Sequence, residues 1–302
     1  MVSVSGEPAH PDAPGPAGLV ALTALTMTAF AANSVLNRAG VGWGLIDPVT
    51  FAVVRLAAGA GTLALLVVAR RVTTGASLWP GGRGRVTGAL SLLIYLFDFS
   101  FAYGALDAGV GALILFGMVQ ITMFAGALWV REPVPARRWL GSGLAFLGLV
   151  YLLTPGSSAE GSAPHAAMMA AAGIGWGLYS LSARGVGDPL GATAWNFILA
   201  VPGALAVWLL VSASPETASV RGAGLALASL SGAVTSGLGY ALWYSLLPRL
   251  GPSRGGVAQL AVPLIAVAGG MLFLGEVLTL RFVLATILVL GGVGFALWQR
   301  QR

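Results

Sequence analysis

Ten separate stretches of this chain are apolar for about twenty residues each, long enough to cross a roughly 30 Å hydrocarbon core as helix. They are 17–37, 48–69, 86–105, 109–130, 136–154, 165–184, 189–212, 222–247, 253–274 and 278–298. None alternates with a period of two, so a membrane β-barrel does not fit. The connections are short and carry turn residues: Asp47-Pro48, Pro80-Gly81-Gly82, Pro155-Gly156, Asp188-Pro189 and Gly251-Pro252. X-Pro steps of this kind suit helix boundaries. Residues 1–16 are rich in Pro, Gly and Ala and read as a disordered tail. They lack the basic start of a signal peptide, so the first span is expected to remain. The expected fold is an all-α membrane protein of ten transmembrane helices.

Charge supports this and supplies a direction. Only 9% of the 302 residues are charged, against about 25% in soluble domains. The net charge of +6 comes entirely from arginine. Ten spans put both termini on one side. If that side is cytoplasmic, twelve arginines lie inside, from Arg70 and Arg71 to Arg300 and Arg302, and three outside, Arg38, Arg221 and Arg281. That asymmetry is the positive-inside rule, so the basic balance encodes topology in the cytoplasmic membrane rather than a nucleic-acid partner. Trp43, Trp79, Trp129, Trp139 and Trp298 sit near span ends, as interface anchors do. There is no Cys, and His10 lies in the tail and His165 at the very edge of its apolar run, so no metal site or cofactor is expected. An integral-membrane enzyme would need a cluster of acids or histidines at the interface, and the loops supply none. An uncoupled channel remains the other alternative to a carrier.

The chain repeats itself. Residues 101–153 align without gaps to 245–297, with eleven identities in 53 pairs, among them Glu132/Glu276 and Arg137/Arg281. Asp47-Pro48 matches Asp188-Pro189 at nearly the same shift. A five-span unit is odd in number, so the second copy (155–302) must insert upside down relative to the first (17–154). Inverted repeats are the architecture of secondary transporters, which bind substrate near the midplane.

Two segments carry a family resemblance. Leu274-Gly275-Glu276 followed by Gly291-Gly292-Val293-Gly294, with Val262-Pro263 in the preceding helix, resembles the EamA-type transporters of the drug/metabolite transporter superfamily. Trp176-Gly177 through Arg184 resembles the opening helix of that family's second repeat, and Arg55 an arginine often found in its second helix. The first repeat departs from the pattern, with Arg131-Glu132 in place of Gly-Glu, Val119-Gln120 in place of the proline and Ala31-Ala32 in place of Trp-Gly. The resemblance implies ten helices in inverted five-helix repeats and transport of small metabolites, often amino acids and often outward. A monomer or a homodimer is expected.

Twenty-four of the 26 charges fall at span ends or in loops; Arg55 and Asp98 do not. Charged groups inside a bilayer are costly and face a partner or a cavity. Each lies eight residues from the outer end of its helix, about 12 Å deep. An ion pair between them, or a shared place on the cavity wall, is therefore expected, with Asp98 the candidate for proton coupling. Asn33, Gln120, Asn196 and Gln259 are candidate amide ligands for substrate, and Trp176, Tyr179, Tyr240 and Trp243 candidate aromatic walls. Glu132 and Glu276 read as helix-start acids. Pro263, near the midplane, is the candidate hinge.

Overall fold

The computed structural model describes residues 15–131, 134–154, 162–212 and 220–297. The tail to residue 14, Glu132, the Pro155-Gly156 turn, Trp298, Arg300 and Arg302 lie outside them. The described residues are helical, with one isolated β-bridge between Ile46 and Val220. The helices are α1 (Pro16–Asn37), α2 (Pro48–Thr74), α3 (Arg85–Ala102), α4 (Ala108–Trp129), α5 (Ala136–Leu153), α6 (Ala163–Ser182), α7 (Pro189–Ser212), α8 (Gly222–Leu230), α9 (Gly239–Gln259), α10 (Ala261–Gly269) and α11 (Leu280–Leu297). Three wider π-helical segments continue them: Arg38–Gly42 after α1, Ser231–Leu238 between α8 and α9, and Gly270–Leu274 after α10.

Among the described residues, eight runs are long and apolar enough to cross a membrane, including Gly222–Leu250 and Arg254–Leu274. Of the ten expected spans, α5 and α6 fall short of that measure. Arg137 and Arg138 open α5, and α6 is built largely of Ala and Gly. The expected turn at Gly251-Pro252 is not where the helix breaks. Helix α9 runs on to Gln259 and a turn forms at Leu260. Pro263, with no N–H to offer the carbonyl of residue 259, accounts for the break lying there.

The Asp-Pro starts behave alike. Asp47 accepts the N–H of Thr50 at 2.9 Å and Asp188 that of Gly191 at 3.0 Å. In each case the proline occupies the first helical position, where it has no hydrogen bond to lose.

Contacts along the helices fix their directions. In the α5/α11 pair Gly141 meets Gly292 and Ala296, Gly148 meets Val289, and Arg281 donates to the Tyr151 carbonyl at 2.9 Å. Numbers rise along one helix as they fall along the other, so the two are antiparallel. The same holds for α2/α7, tied by Arg70–Asp188 at one end and by Trp208 Nε1 donating to Thr50 Oγ1 (3.1 Å) at the other. Helices α4 and α6 are parallel: Gly173, Gly177 and Gly126 lie against Leu115, Thr122 and Leu181 in order. These directions are those of the expected ten-pass threading. Gly141 and Gly292 each lie against the other's backbone carbonyl, so a Cβ at either position would collide. Small residues at such crossings let membrane helices approach closely. Trp43, Trp79, Trp129 and Trp139 are exposed on the surface.

Candidate functional site

The midsection holds a narrow cleft lined by Phe30, Asn33, Ser34, Tyr95, Phe99, Leu115, Phe116, Trp176, Tyr240 and Gln259. Each wall follows from local sequence. Tyr95 and Phe99 lie one helical turn apart on α3 and so share a face. Trp176 sits in Gly173-Ile174-Gly175-Trp176-Gly177, whose glycines let α6 press against neighbours. Gly175 faces the Ser91 carbonyl and Tyr95 N at 2.9 Å, and Gly177 faces Thr122 at 2.6 Å, distances given for an added Cβ. The indole is stacked between Tyr179 (centroids 5.1 Å, 16°) and Tyr240 (5.2 Å, 22°). Offset aromatic pairs of this kind add about 0.5–1.5 kcal/mol beyond their buried area.

Asn33 anchors the polar wall. Its Oδ1 accepts from Ser231 Oγ (2.8 Å), Thr235 Oγ1 (2.6 Å) and Ser236 Oγ (3.3 Å), all in the π-helical segment between α8 and α9. An ordinary helix places residues i and i+4 on one face. The wider turn adds Ser236 to that face, and π-turns recur at functional sites for this reason. Ser236 also accepts from Arg55 Nε at 3.2 Å. Arg55 is fully buried. Its Nη2 donates to Tyr95 Oη at 2.9 Å, and the guanidinium carbon lies 5.3 Å from the Tyr95 ring centroid and 4.9 Å from that of Phe99.

The structure brings Asn33, Trp176, Tyr240 and Gln259 onto one cavity, with Arg55 directly behind Tyr95 and Phe99. Tyr179 stands behind Trp176 and donates to Thr193 Oγ1 at 2.9 Å, and Trp243 stands edge-on behind Phe30. The other candidates lie elsewhere. Gln120 lines a separate cleft with Arg138, Ser142 and Val293. Asn196 is buried near the end predicted as inner, where its Oδ1 accepts from Arg85 Nη1 at 3.1 Å. Arg55 and Asp98 do not pair: no ion pair joins them, and Asp98 is half-buried with no hydrogen bond among the described residues. Equal depth was satisfied, but facing was not. Asp98 is one residue from Phe99, about 100° around the helix from the face that meets Arg55.

Each end of the bundle is tied. At the end predicted as inner, Arg70 and Asp188 form a forked ion pair at 2.8 and 2.5 Å. This holds the Asp188 carboxyl below its ordinary range, chiefly through the Arg70 hydrogen bond. At the opposite end Glu276 Oε1 accepts the N–H of Ala108 at 2.8 Å, and Arg38 lies 3.9 Å from Glu276 and 3.7 Å from Asp107. Burial pushes the Glu276 carboxyl up, against the Ala108 and Arg38 contacts that favour its charge. Glu276 thus caps the start of another helix, α4, rather than its own. Sequence inspection missed Tyr95, Phe99, Ser236 and the Arg70–Asp188 pair. Only the i, i+4 spacing of the two α3 aromatics hinted at any of them.

The EamA-like transporter family model matches residues 164–298. An uncharacterised protein of Pseudomonas aeruginosa is 46% identical over 280 residues, covering 92% of this chain and 94% of its own. An uncharacterised transporter of Archaeoglobus fulgidus is 26% identical over 201 residues, 65% of this chain and 70% of its own. A protein crystal structure superposes with a TM-score of 0.62 at 18% identity, covering 91% of this chain and 97% of that one, which shows a shared fold. With its helical membrane architecture and these relatives, the chain belongs to the EamA-like transporter family.

Proposed function

We propose that this membrane transporter is a secondary carrier of the cytoplasmic membrane, with both termini inside. It moves a small organic metabolite, an amino acid or a related compound, outward by alternating access between two inverted five-helix repeats. The observation that carries this reading is a cleft of amides and aromatics midway along the helices, with ion pairs linking helices at each end of the bundle. A channel needs a continuous path. A carrier needs a site that opens to one side at a time. The antiparallel α5/α11 and α2/α7 pairs support the inverted repeat, because each matches a helix of the first unit with its counterpart in the second. The arginine asymmetry supports the orientation.

The test is counterflow in proteoliposomes. Vesicles loaded with unlabelled phenylalanine or leucine are diluted into trace labelled amino acid. A carrier gives transient accumulation that saturates with concentration. Flux linear in concentration, or no flux with either compound or with other small metabolites, would overturn the carrier reading.

A further inference from the structure

Arg55 is a fully buried cation that no carboxylate of the described chain neutralises. Charge buried in this way costs several kcal/mol unless it is paired. Arg70 and Arg137 also carry a buried Nε without an acceptor, but both side chains are only partly buried. Arg70 has Asp188, and Arg38 has Asp107 and Glu276 within 4 Å. Arg85, also buried, spends every side-chain nitrogen on acceptors: the Arg83 and Ala192 carbonyls and Asn196. Arg55 alone among these combines full burial, no carboxylate within 4 Å and an unbonded nitrogen. Nε and Nη2 are used, but the buried Nη1 has no acceptor.

The surroundings say what is missing. The rings on which the guanidinium rests, Tyr95 and Phe99, are themselves cavity walls, and Ser236 links it to Asn33 on the same cavity. The guanidinium lies behind the lining rather than in it, so a carboxylate that parted the Tyr95 and Phe99 rings would supply both the absent acceptor and the absent negative charge, in the planar geometry that arginine suits best. The remaining walls, Phe30, Leu115, Phe116, Trp176 and Tyr240, are apolar or aromatic, and the lining contains no acid to hold an ammonium group. An amino group on the ligand therefore has no ionic partner there.

We propose that Arg55 Nη1 is the anion subsite of this cavity, and that the compound it takes is a small carboxylate with an apolar or aromatic body, recognised with or without an amino group. This rests on the carrier reading and narrows its substrate class.

The test compares 3-phenylpropanoate with the neutral 3-phenylpropan-1-ol on the purified full-length protein. Binding is read by thermal shift and by quenching of tryptophan fluorescence, Trp176 being part of the wall. The acid should bind at least tenfold more tightly than the alcohol. Arg55→Gln should lose that preference while the unliganded variant melts no lower than the parent, since an uncompensated charge has been removed. Arg55→Lys, charged but without the fork, should fall between. Equal binding of acid and alcohol by the parent protein, or no binding of the acid, overturns the subsite and does not depend on any variant folding. So does an Arg55→Gln protein that keeps the acid preference. If phenylalanine counterflow persists in that case, only the subsite falls. If no compound is carried at all, the carrier reading falls with it.

Discussion

Glu276, in the turn before α11, accepts the backbone N–H of Ala108 at the start of α4, 168 residues earlier in the chain. The carboxylate sits against the positive end of a helix, and Arg38 faces it at 3.9 Å. Burial nevertheless wins, and the group holds its proton above the ordinary glutamate range. A carboxyl raised on folding stabilises fully below the unfolded value of about 4.5. That contribution is lost as pH rises through the higher folded value. Glu276→Gln should therefore flatten the fall in melting temperature between pH 5 and pH 7.5. Arg38→Gln, which removes the favourable cation, should steepen it. A glutamine variant with the parent's profile would show that Glu276 is not the group responsible.

The opposite end has the reverse sign. Asp188 is held low by Arg70, so its stabilisation is present above about pH 3.9 and is lost as pH falls through the depressed folded value. Asp188→Asn should cost about 1 kcal/mol at neutral pH, as expected for a partly exposed forked pair. Melting curves should begin to approach those of the parent only as the pH falls below about 4.

Gly232 lies against the Arg55 carbonyl, and an added Cβ would overlap it and press Ala58. Gly232→Ala should destabilise by about 1–3 kcal/mol, the usual cost of overpacking. Gly291→Ala, where a Cβ meets nothing within 4 Å, should change little. The two melting temperatures, measured side by side, check the crossing of α2 with the π-helical segment.

Trp176 is both wall and packing element, stacked between two tyrosines. Trp176→Phe keeps the stack and should weaken ligand binding severalfold with a small loss of stability. Trp176→Ala should cost about 3–5 kcal/mol of stability, as deletion of a large aromatic does. Binding titrations and melting curves on the two variants separate the roles.

Orientation is checked with single cysteines, since the chain has none of its own. Trp43→Cys should react with a membrane-impermeant maleimide in intact cells. Ser77→Cys should react only after permeabilisation. Labelling of residue 77 from outside would reverse the topology.

The architecture was legible in the sequence because it is written in long features: spans, arginine asymmetry and Asp-Pro helix starts. The site was legible only in part. Asn33, Trp176, Tyr240 and Gln259 were recognisable as polar or aromatic groups stranded in apolar runs. Tyr95 and Phe99 looked like ordinary core, because nothing local says which face of α3 meets α2. The same ambiguity suggested an Arg55–Asp98 pair, for depth follows from counting residues but rotation about the axis does not. Ser236 was hidden differently. Its place beside Arg55 depends on a π-turn, and sequence periodicity assumes 3.6 residues per turn throughout.

That wider turn has a mechanical meaning. A π segment stores one residue more than the α-helix that would replace it. Releasing it would slide everything downstream by about 1.5 Å and wind it by about 100°. Ser231 and Thr235 would keep Asn33, while Ser236 would be carried off Arg55. The extra residue held in Ser231–Leu238 is therefore what keeps Ser236 within reach of Arg55.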